Sequence, residues 1–209
     1  MNYRTLVVGP VRANCYLVWN DTACVVVDPG DDFNRIEHAL REIGKPLKAI
    51  LLTHGHFDHV GAVKECKEHY PQVPVMLGAE DEEILREPER VYRGMLSHIP
   101  DRLYLRADRL LQDGDRIEID GMCFTVLSTP GHTKGSVCYL YENAIFSGDT
   151  LFRGSCGRCD FYGGDRQAMQ DSLARLASLD GDRLVYPGHE EETSLDQERR
   201  YNRFMEHKG

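Results

Sequence analysis

The stretch Thr53-His54-Gly55-His56-Phe57-Asp58-His59 follows directly on the apolar run Ala49-Ile50-Leu51-Leu52. The apolar run predicts a buried strand, so three imidazoles and one carboxylate come immediately after a strand end. Residues at such an end are held by the sheet while their side chains point into a cleft. Imidazole nitrogens together with a carboxylate oxygen suit zinc, iron or manganese. The stretch therefore predicts a metal site.

Three later strand ends carry residues of the same kind, each beside a glycine that lets the backbone approach a site closely. The chain therefore offers the candidate ligands His54, His56, Asp58, His59, His132, Asp149 and His189. One zinc ion takes four or five ligands, so this set indicates two metals that share a bridging carboxylate. The spacing directs His54 and His56 to one metal and Asp58 with His59 to a second, roughly 3.5–4 Å away, with Asp149 as the bridge.

Apolar periodicity predicts two successive sets of strands, each followed by a helix and a further strand. The predicted strands are 4–8, 14–19, 23–27, 48–53, 74–77, 116–119, 122–127, 136–141, 144–147 and 183–186, and the predicted helices are 32–43, 59–70, 79–85, 166–179 and 194–205. Prolines and a glycine interrupt the segment 87–108, which we interpret as a lid or a connection. The pattern favours an α/β fold in which two stacked sheets carry helices outside, within a single domain of residues 1–209.

Composition excludes several classes of partner. The chain has 25 basic and 34 acidic side chains and a net charge of −9, with no Lys/Arg-rich block, so neither nucleic acid nor an anionic membrane is expected. No run reaches the ~18 apolar residues that a membrane span needs, and no signal segment is visible. Seven cysteines, an odd number, fit free thiols in a reducing compartment, so we expect a cytoplasmic protein. The oligomeric state stays open.

Two of the cysteines form the pair Cys156-Gly157-Arg158-Cys159. A Cys-x-x-Cys pair can be redox-active or bind zinc, but no second pair completes a four-thiolate site. The alternative is a glycine-rich active-site loop that happens to hold two cysteines. Both interpretations stay open from the sequence.

The motifs His-x-His-x-Asp-His at 54–59, Pro-Gly-His-Thr at 130–133, Ser-Gly-Asp at 147–149 and Gly-His at 188–189 resemble, in this order, the metallo-β-lactamase superfamily. The resemblance covers nearly the whole chain and implies a four-layer αβ/βα sandwich with a dinuclear site at one edge of its sheets. It implies two divalent metal ions, zinc first, with iron or manganese as alternatives. It assigns His54, His56 and His132 to the first metal, and Asp58, His59 and His189 to the second. Asp28, in Asp-Pro-Gly, matches a position that supports the ligands from behind, and its alternative role is that of a turn residue.

Within the superfamily, Ser147-Gly-Asp149-Thr-Leu-Phe152 and the following Gly154-Ser-Cys156-Gly-Arg158 resemble the glyoxalase II-like hydrolases. This resemblance implies a small-molecule thioester of the hydroxyacylglutathione kind, cleaved by a metal-bridging hydroxide. Asp58 is the expected catalytic residue that steers the hydroxide. Full-length glyoxalase II enzymes carry a further C-terminal region that holds glutathione, so we expect a short form with its own acyl-thiol substrate. Arg158 and Tyr162 are candidates for substrate binding, the alternative being an exposed surface pair.

Two other functions compete with hydrolysis. The loop Arg153-Gly-Ser-Cys-Gly-Arg-Cys-Asp-Phe161 also resembles persulfide dioxygenases, which use a single iron bound by two histidines and one aspartate. The second competing function is a non-catalytic metal or redox scaffold built on Cys156 and Cys159. A nuclease is disfavoured by the acidic balance and the lack of an inserted cap domain.

Overall fold

The computed structural model describes residues 1–93 and 98–205. The first sheet has the order β1-β2-β3-β4-β5-β6. Its strands are β1 (Asn2–Val8), β2 (Ala13–Trp19), β3 (Cys24–Val27), β4 (Leu47–Leu52), β5 (Val75–Gly78) and β6 (Arg109–Leu111). The first three strands form an antiparallel meander, whereas β3 to β6 are parallel. Parallel strands end at the same edge of a sheet, so the residues that follow β4 and β5 lie close together.

The second sheet has the order β14-β13-β10-β9-β8-β7. Its strands are β7 (Arg116–Ile119), β8 (Met122–Ser128), β9 (Val137–Tyr141), β10 (Ala144–Gly148), β13 (Leu184–Pro187) and β14 (Thr193–Ser194). A small hairpin of β11 (Leu151–Phe152) and β12 (Ser155–Cys156) lies between β10 and β13 in the sequence. Strands β10 and β13 are parallel neighbours, which brings their ends together as well.

Helices connect the strands. They are α1 (Phe33–Ile43), α2 (Phe57–Val60), α3 (Val63–His69), α4 (Glu82–Arg86), α5 (Glu89–Tyr92), α6 (Arg166–Ala177) and α7 (Leu195–Tyr201), with short 3-10 turns at Ala79–Asp81 and Asp101–Leu103. The carboxylate of Asp165 caps α6 by accepting from the backbone amides of Gln167 and Ala168. Among the described residues, no helix is long and apolar enough to cross a membrane.

Three apolar clusters hold these layers together. The central cluster lies between the two sheets and includes Tyr16, Leu51, Phe124 and Phe146, all of them buried. The cluster on the outer face of the first sheet includes Ile36 from α1, and the one on the outer face of the second includes Leu173 from α6. The expected four-layer αβ/βα sandwich is therefore confirmed.

The structure differs from the sequence-based prediction mainly at short elements. The helix expected over 59–70 is split into α2 and α3, because the amide of Ala62 donates to the carbonyl of Pro29 at 2.9 Å instead of continuing a single helix. The final helix ends at Tyr201, before the expected position 205. Strands β6, β11, β12 and β14 were not predicted, since two or three residues carry too little periodicity. Within the segment 87–108, α5 and a 3-10 turn are formed, while residues 94–97 lie outside the described part.

Candidate metal centre

The seven predicted ligands meet at one edge of the two sheets. His54 and His56 follow β4, and Asp58 and His59 lie on α2. His132, Asp149 and His189 follow β8, β10 and β13 of the second sheet. The rings of His54 and His59 are fully enclosed, with 1% and 0% of their residue surface exposed, whereas the side chains of Asp58 and His189 are 15% and 21% exposed. His54 and His59 therefore lie at the buried bottom of the site, and Asp58 and His189 lie on its solvent-accessible side.

The ligand atoms form overlapping groups. In each group the atoms lie within 4.8 Å of one another, and the groups are His54 with His56 and His132, Asp58 with His59 and His189, and His54 with His59 and Asp149. The first two groups are the sets that the superfamily resemblance assigns to two metals. The clusters are those of a dinuclear metal site.

Asp149 lies between the first two groups. Its Oδ2 atom is 3.4 Å from Nε2 of His132, and its Oδ1 atom is 3.4 Å from Nε2 of His59. The backbone of Gly188 packs so closely here that a Cβ would stand 2.3 Å from Oδ1 of Asp149. Only glycine leaves room for the carboxylate to reach both groups.

The buried ligand atoms fit a metal ion. Within the described part of the chain, no protein group hydrogen-bonds to Nε2 of His54, Nε2 of His59 or Oδ1 of Asp149, although all three atoms are buried. An orphaned buried polar atom is costly, and ligation of a cation removes that cost. Nδ1 of His56 and Nε2 of His132 lie 2.8 Å apart inside the same group.

The site also sets the charge of its rings. Burial lowers the pKa of His54 well below its ordinary value and that of His56 to about 3, so both imidazoles are neutral and keep a free lone pair. Burial also opposes the charged form of His59, but the carboxylates of Asp58, Asp149 and Asp28 outweigh it and raise its pKa to about 10. The two sides of the centre therefore differ: one holds the neutral rings of His54 and His56, and the other is rich in carboxylates.

Asp28 lies directly behind the ligands. Its Oδ2 accepts from Nδ1 of His59 at 2.9 Å and from the hydroxyl of Thr53 at 2.6 Å, while Oδ1 accepts the amide of Thr53 at 2.8 Å. Because the Thr53 hydroxyl donates to Asp28, its oxygen accepts from Nδ1 of His54, 3.1 Å away. Both rings thus use Nδ1 to donate to a protein oxygen and direct Nε2 into the centre.

Sequence reasoning missed three groups that hold the ligand loops. The carbonyl of Arg158 accepts from Nδ1 of His132 at 2.7 Å. Asn14, on β2, donates to the carbonyls of Pro187 and Glu190 at 3.0 and 2.9 Å, and the hydroxyl of Tyr16 donates to Pro187 at 2.6 Å. These bonds fix the loop of His189 from the opposite sheet. The signal for Asn14 was available, since it is a polar residue inside an otherwise apolar strand.

The comparisons with known proteins agree with this geometry. Residues 8–189 match the metallo-beta-lactamase superfamily. This chain belongs to that superfamily. It is 35% identical to the hydroxyacylglutathione hydrolase GloC of Haemophilus influenzae over 100% of both chains. Among solved structures, a B3 metallo-beta-lactamase named BLEG-1 superposes with a TM-score of 0.91 at 35% identity, covering 98% of this chain and 99% of the other. TTHA1623 in a di-iron-bound form superposes with a TM-score of 0.85 at 38% identity, covering 96% and 99%.

The chain is thus a metallo-hydrolase of this superfamily, and its relatives include glyoxalase II-like hydrolases. Two relatives at equal identity carry names with different substrates, so similarity alone does not choose between a thioester and a β-lactam. The choice depends on the cleft above the metal centre.

A cleft of about 1060 Å³ in this chain opens over five of the candidate ligands, His56, Asp58, His132, Asp149 and His189. Its walls are mainly apolar and are formed by Val7, Val11, Phe57, Val91, Tyr92, Phe152 and Phe161. Helix α5 therefore contributes to the cleft through Val91 and Tyr92, and the Tyr92 hydroxyl accepts from the amide of Phe57 at 2.7 Å. Part of the segment interpreted as a lid or connection lines the substrate space.

The two predicted substrate residues are placed differently. Arg158 lines the cleft, where its guanidinium stacks on Phe161 at 4.0 Å and pairs with Asp160 at 2.6 and 2.7 Å. The hydroxyl of Tyr162 instead donates to Glu83 at 3.1 Å, and its ring packs on the outer cluster of the first sheet. A second arginine, Arg12, lines the cleft on the turn between β1 and β2, with a backbone φ of 60°.

Cys156 lines the cleft, and Cys159 lies beside it. Cys156 and Cys159 are partly buried free thiols that pack on the outer cluster of the second sheet. Burial raises the pKa of Cys156 to about 11, so its thiol is protonated at neutral pH. The loop between them carries the Arg158 carbonyl that holds His132, which gives it a role that needs no thiol chemistry.

Proposed function

We propose that the chain is a dinuclear metal-dependent hydrolase of a small thioester of the hydroxyacylglutathione kind. The observation that carries the proposal is the position of Asp149, whose carboxylate oxygens lie 3.4 Å from ligand nitrogens of both groups. A carboxylate placed in this way can bridge two metal ions. The thioester is favoured because the cleft combines apolar walls with Arg12 and Arg158, a lining that suits an acyl group on an anionic thiol carrier. A relative that matches the whole chain and is named a hydroxyacylglutathione hydrolase supports this choice.

In this proposal His54, His56 and His132 hold the first metal, and Asp58, His59 and His189 hold the second. Two divalent ions there, zinc first and iron or manganese as alternatives, would polarise the thioester carbonyl and lower the pKa of water towards about 7. Asp58 faces the open side of the centre, with its Oδ2 atom 3.1 Å from Nε2 of His189. It would accept a hydrogen bond from the attacking water and orient it.

The apolar cleft walls would enclose the acyl group and exclude bulk water from the carbonyl. Arg12 and Arg158 would face an anionic thiol carrier at the rim. Arg158 would have to exchange its contact with Asp160 for one with substrate. Tyr162 points away from the cleft, so we assign it no contact with substrate.

We take residues 1–209 as a single hydrolase domain without nucleic-acid or membrane partners. Its seven free thiols favour the cytoplasm, where cysteines stay reduced.

The test combines metal content per chain, measured on protein purified without chelators, with three assays. Hydrolysis of lactoylglutathione by protein holding close to two metals per chain supports the proposal. One iron per chain with oxygen uptake on glutathione persulfide would replace it with a dioxygenase. Hydrolysis of a chromogenic β-lactam without thioester cleavage would replace it with a lactamase. Full metal loading without any turnover would leave a binding scaffold.

A further inference from the structure

Asp81 is a charged side chain with no solvent exposure, and it lies at the end of the 3-10 turn that follows β5. Its Oδ2 accepts from the backbone amide of Gly55 at 2.9 Å and from the hydroxyl of Thr133 at 2.7 Å. Its Oδ1 accepts from the amide of Gly135 at 2.7 Å. A carboxylate buried this deeply is retained only when donors surround it, and these three donors do so.

The three donors belong to the two loops that carry the first ligand group. Gly55 stands between His54 and His56, on the loop that follows β4. Thr133 and Gly135 follow His132 directly, on the loop between β8 and β9. The loops come from different sheets and are far apart in sequence, and one carboxylate binds both. The distance between His56 and His132 is therefore set through Asp81.

The fit around Asp81 is tight. A Cβ on Gly135 would stand 2.3 Å from the amide nitrogen of Asp81 and 2.7 Å from its Cβ, so only glycine allows the second loop to come this close. A rigid contact of this kind passes a displacement of Asp81 directly to the loop of His132.

We propose that Asp81 is a positioning residue for the first metal group, His54, His56 and His132, and that it does not support the second group. The inference rests on the proposed dinuclear centre. Asp28 differs, because it contacts His59 directly and His54 through Thr53, and so reaches both groups. Removal of Asp81 should weaken one metal and leave the other, whereas removal of Asp28 should weaken both.

The experiment is zinc titration of the metal-stripped full chain against a chelator of known affinity, which resolves two binding events. Asp81→Asn should weaken one event about 10- to 100-fold, the usual effect of losing a group that orients ligands, and leave the other unchanged. The cobalt-loaded variant should have the absorption spectrum of His132→Ala, which lacks a ligand of the first group, and not that of His189→Ala. Thr133→Val should show the same selective loss in smaller measure, and Thr133→Ser, which keeps the hydroxyl, should restore it.

Glu198→Gln is the matched control. Glu198 is 1% exposed and also accepts from one backbone amide, that of Gly154, and one threonine hydroxyl, that of Thr193, both at 2.7 Å. The Glu198→Gln variant should be less stable than the wild type and should keep both zinc affinities. Unchanged affinities in a folded Asp81→Asn, or equal weakening of both events, would overturn the inference. Should Asp81→Asn not fold, the two Thr133 variants decide by the same criterion. Absence of thioester hydrolysis by two-metal wild-type protein would defeat the proposed substrate and leave this inference standing.

Discussion

Nδ1 of His59 donates to Oδ2 of Asp28 across 2.9 Å, and the two side chains are only 0% and 2% exposed. The same Asp28 oxygen accepts from the hydroxyl of Thr53, whose oxygen in turn accepts from Nδ1 of His54. One carboxylate therefore fixes the ring orientation and the Nδ1 proton of two histidines that belong to different ligand groups.

We expect Asp28→Asn to weaken both zinc-binding events by about 10- to 100-fold. The Asp28 carboxylate accepts three hydrogen bonds with its two oxygens. The amide of asparagine has only one acceptor oxygen, so its NH₂ group would face a donor from Thr53 or His59. Competition titration measures both affinities. Retention of either one at its wild-type value would show that Asp28 serves only one side.

Removing a ligand should remove metal and activity together. We expect His56→Ala to lose about one metal per chain and nearly all hydrolysis, because a group of three ligands becomes a group of two. His38→Ala is the control, since His38 lies on α1 with 77% of its side chain exposed. Elemental analysis beside a thioester assay checks both variants, and full activity in His56→Ala would refute the ligand assignment.

Charge at the cleft rim should govern substrate binding. We expect Arg12→Gln and Arg158→Ala each to raise KM for an anionic thioester several-fold with little change in kcat, because a contact held equally in ground and transition states affects KM alone. For an uncharged thioester neither variant should differ from wild type. Arg41→Gln, which removes a charge from the outer helix α1, serves as control. A fall in kcat with constant KM would give these arginines a role in the chemical step.

The cysteine pair should be dispensable. Burial raises the pKa of Cys156 to about 11, so its thiol is protonated at neutral pH, and the loop between the two cysteines holds His132 through a backbone carbonyl. We therefore expect the double variant Cys156→Ser, Cys159→Ser to keep both metals and wild-type kcat. Loss of metal from this variant would revive the thiol-based scaffold.

The bond from Tyr16 to Pro187 offers a test of stability. We expect Tyr16→Phe to reduce the free energy of unfolding by about 1 kcal/mol, since the ring keeps its packing and a buried hydrogen bond is lost. Tyr201→Phe, at a residue that is 78% exposed, should change nothing measurable. Urea unfolding at equilibrium compares the two.

The sequence was sufficient to predict what depends on local pattern. Each ligand follows an apolar run, and such runs end at a sheet edge, so both the sandwich and the gathering of His54, His132 and His189 could be foreseen. Contacts between residues that are distant in the sequence could not be predicted in this way. Asp81 bonds to Gly135, 54 positions away, and Asn14 bonds to Glu190, 176 positions away, so no local periodicity reports them. Tyr162 shows the converse, because proximity in sequence to Arg158 did not place it in the cleft.

The bonds from Asn14 to the loop of His189 also have a consequence for synthesis. Asn14 is synthesised long before Glu190, because 176 positions separate the two residues. Ribosomes add about 5–20 residues per second, so the 130 positions between His59 and His189 take roughly 6–26 seconds. Throughout that interval His59 lacks its partner His189. The seven candidate ligands are therefore all present only once His189 has been synthesised.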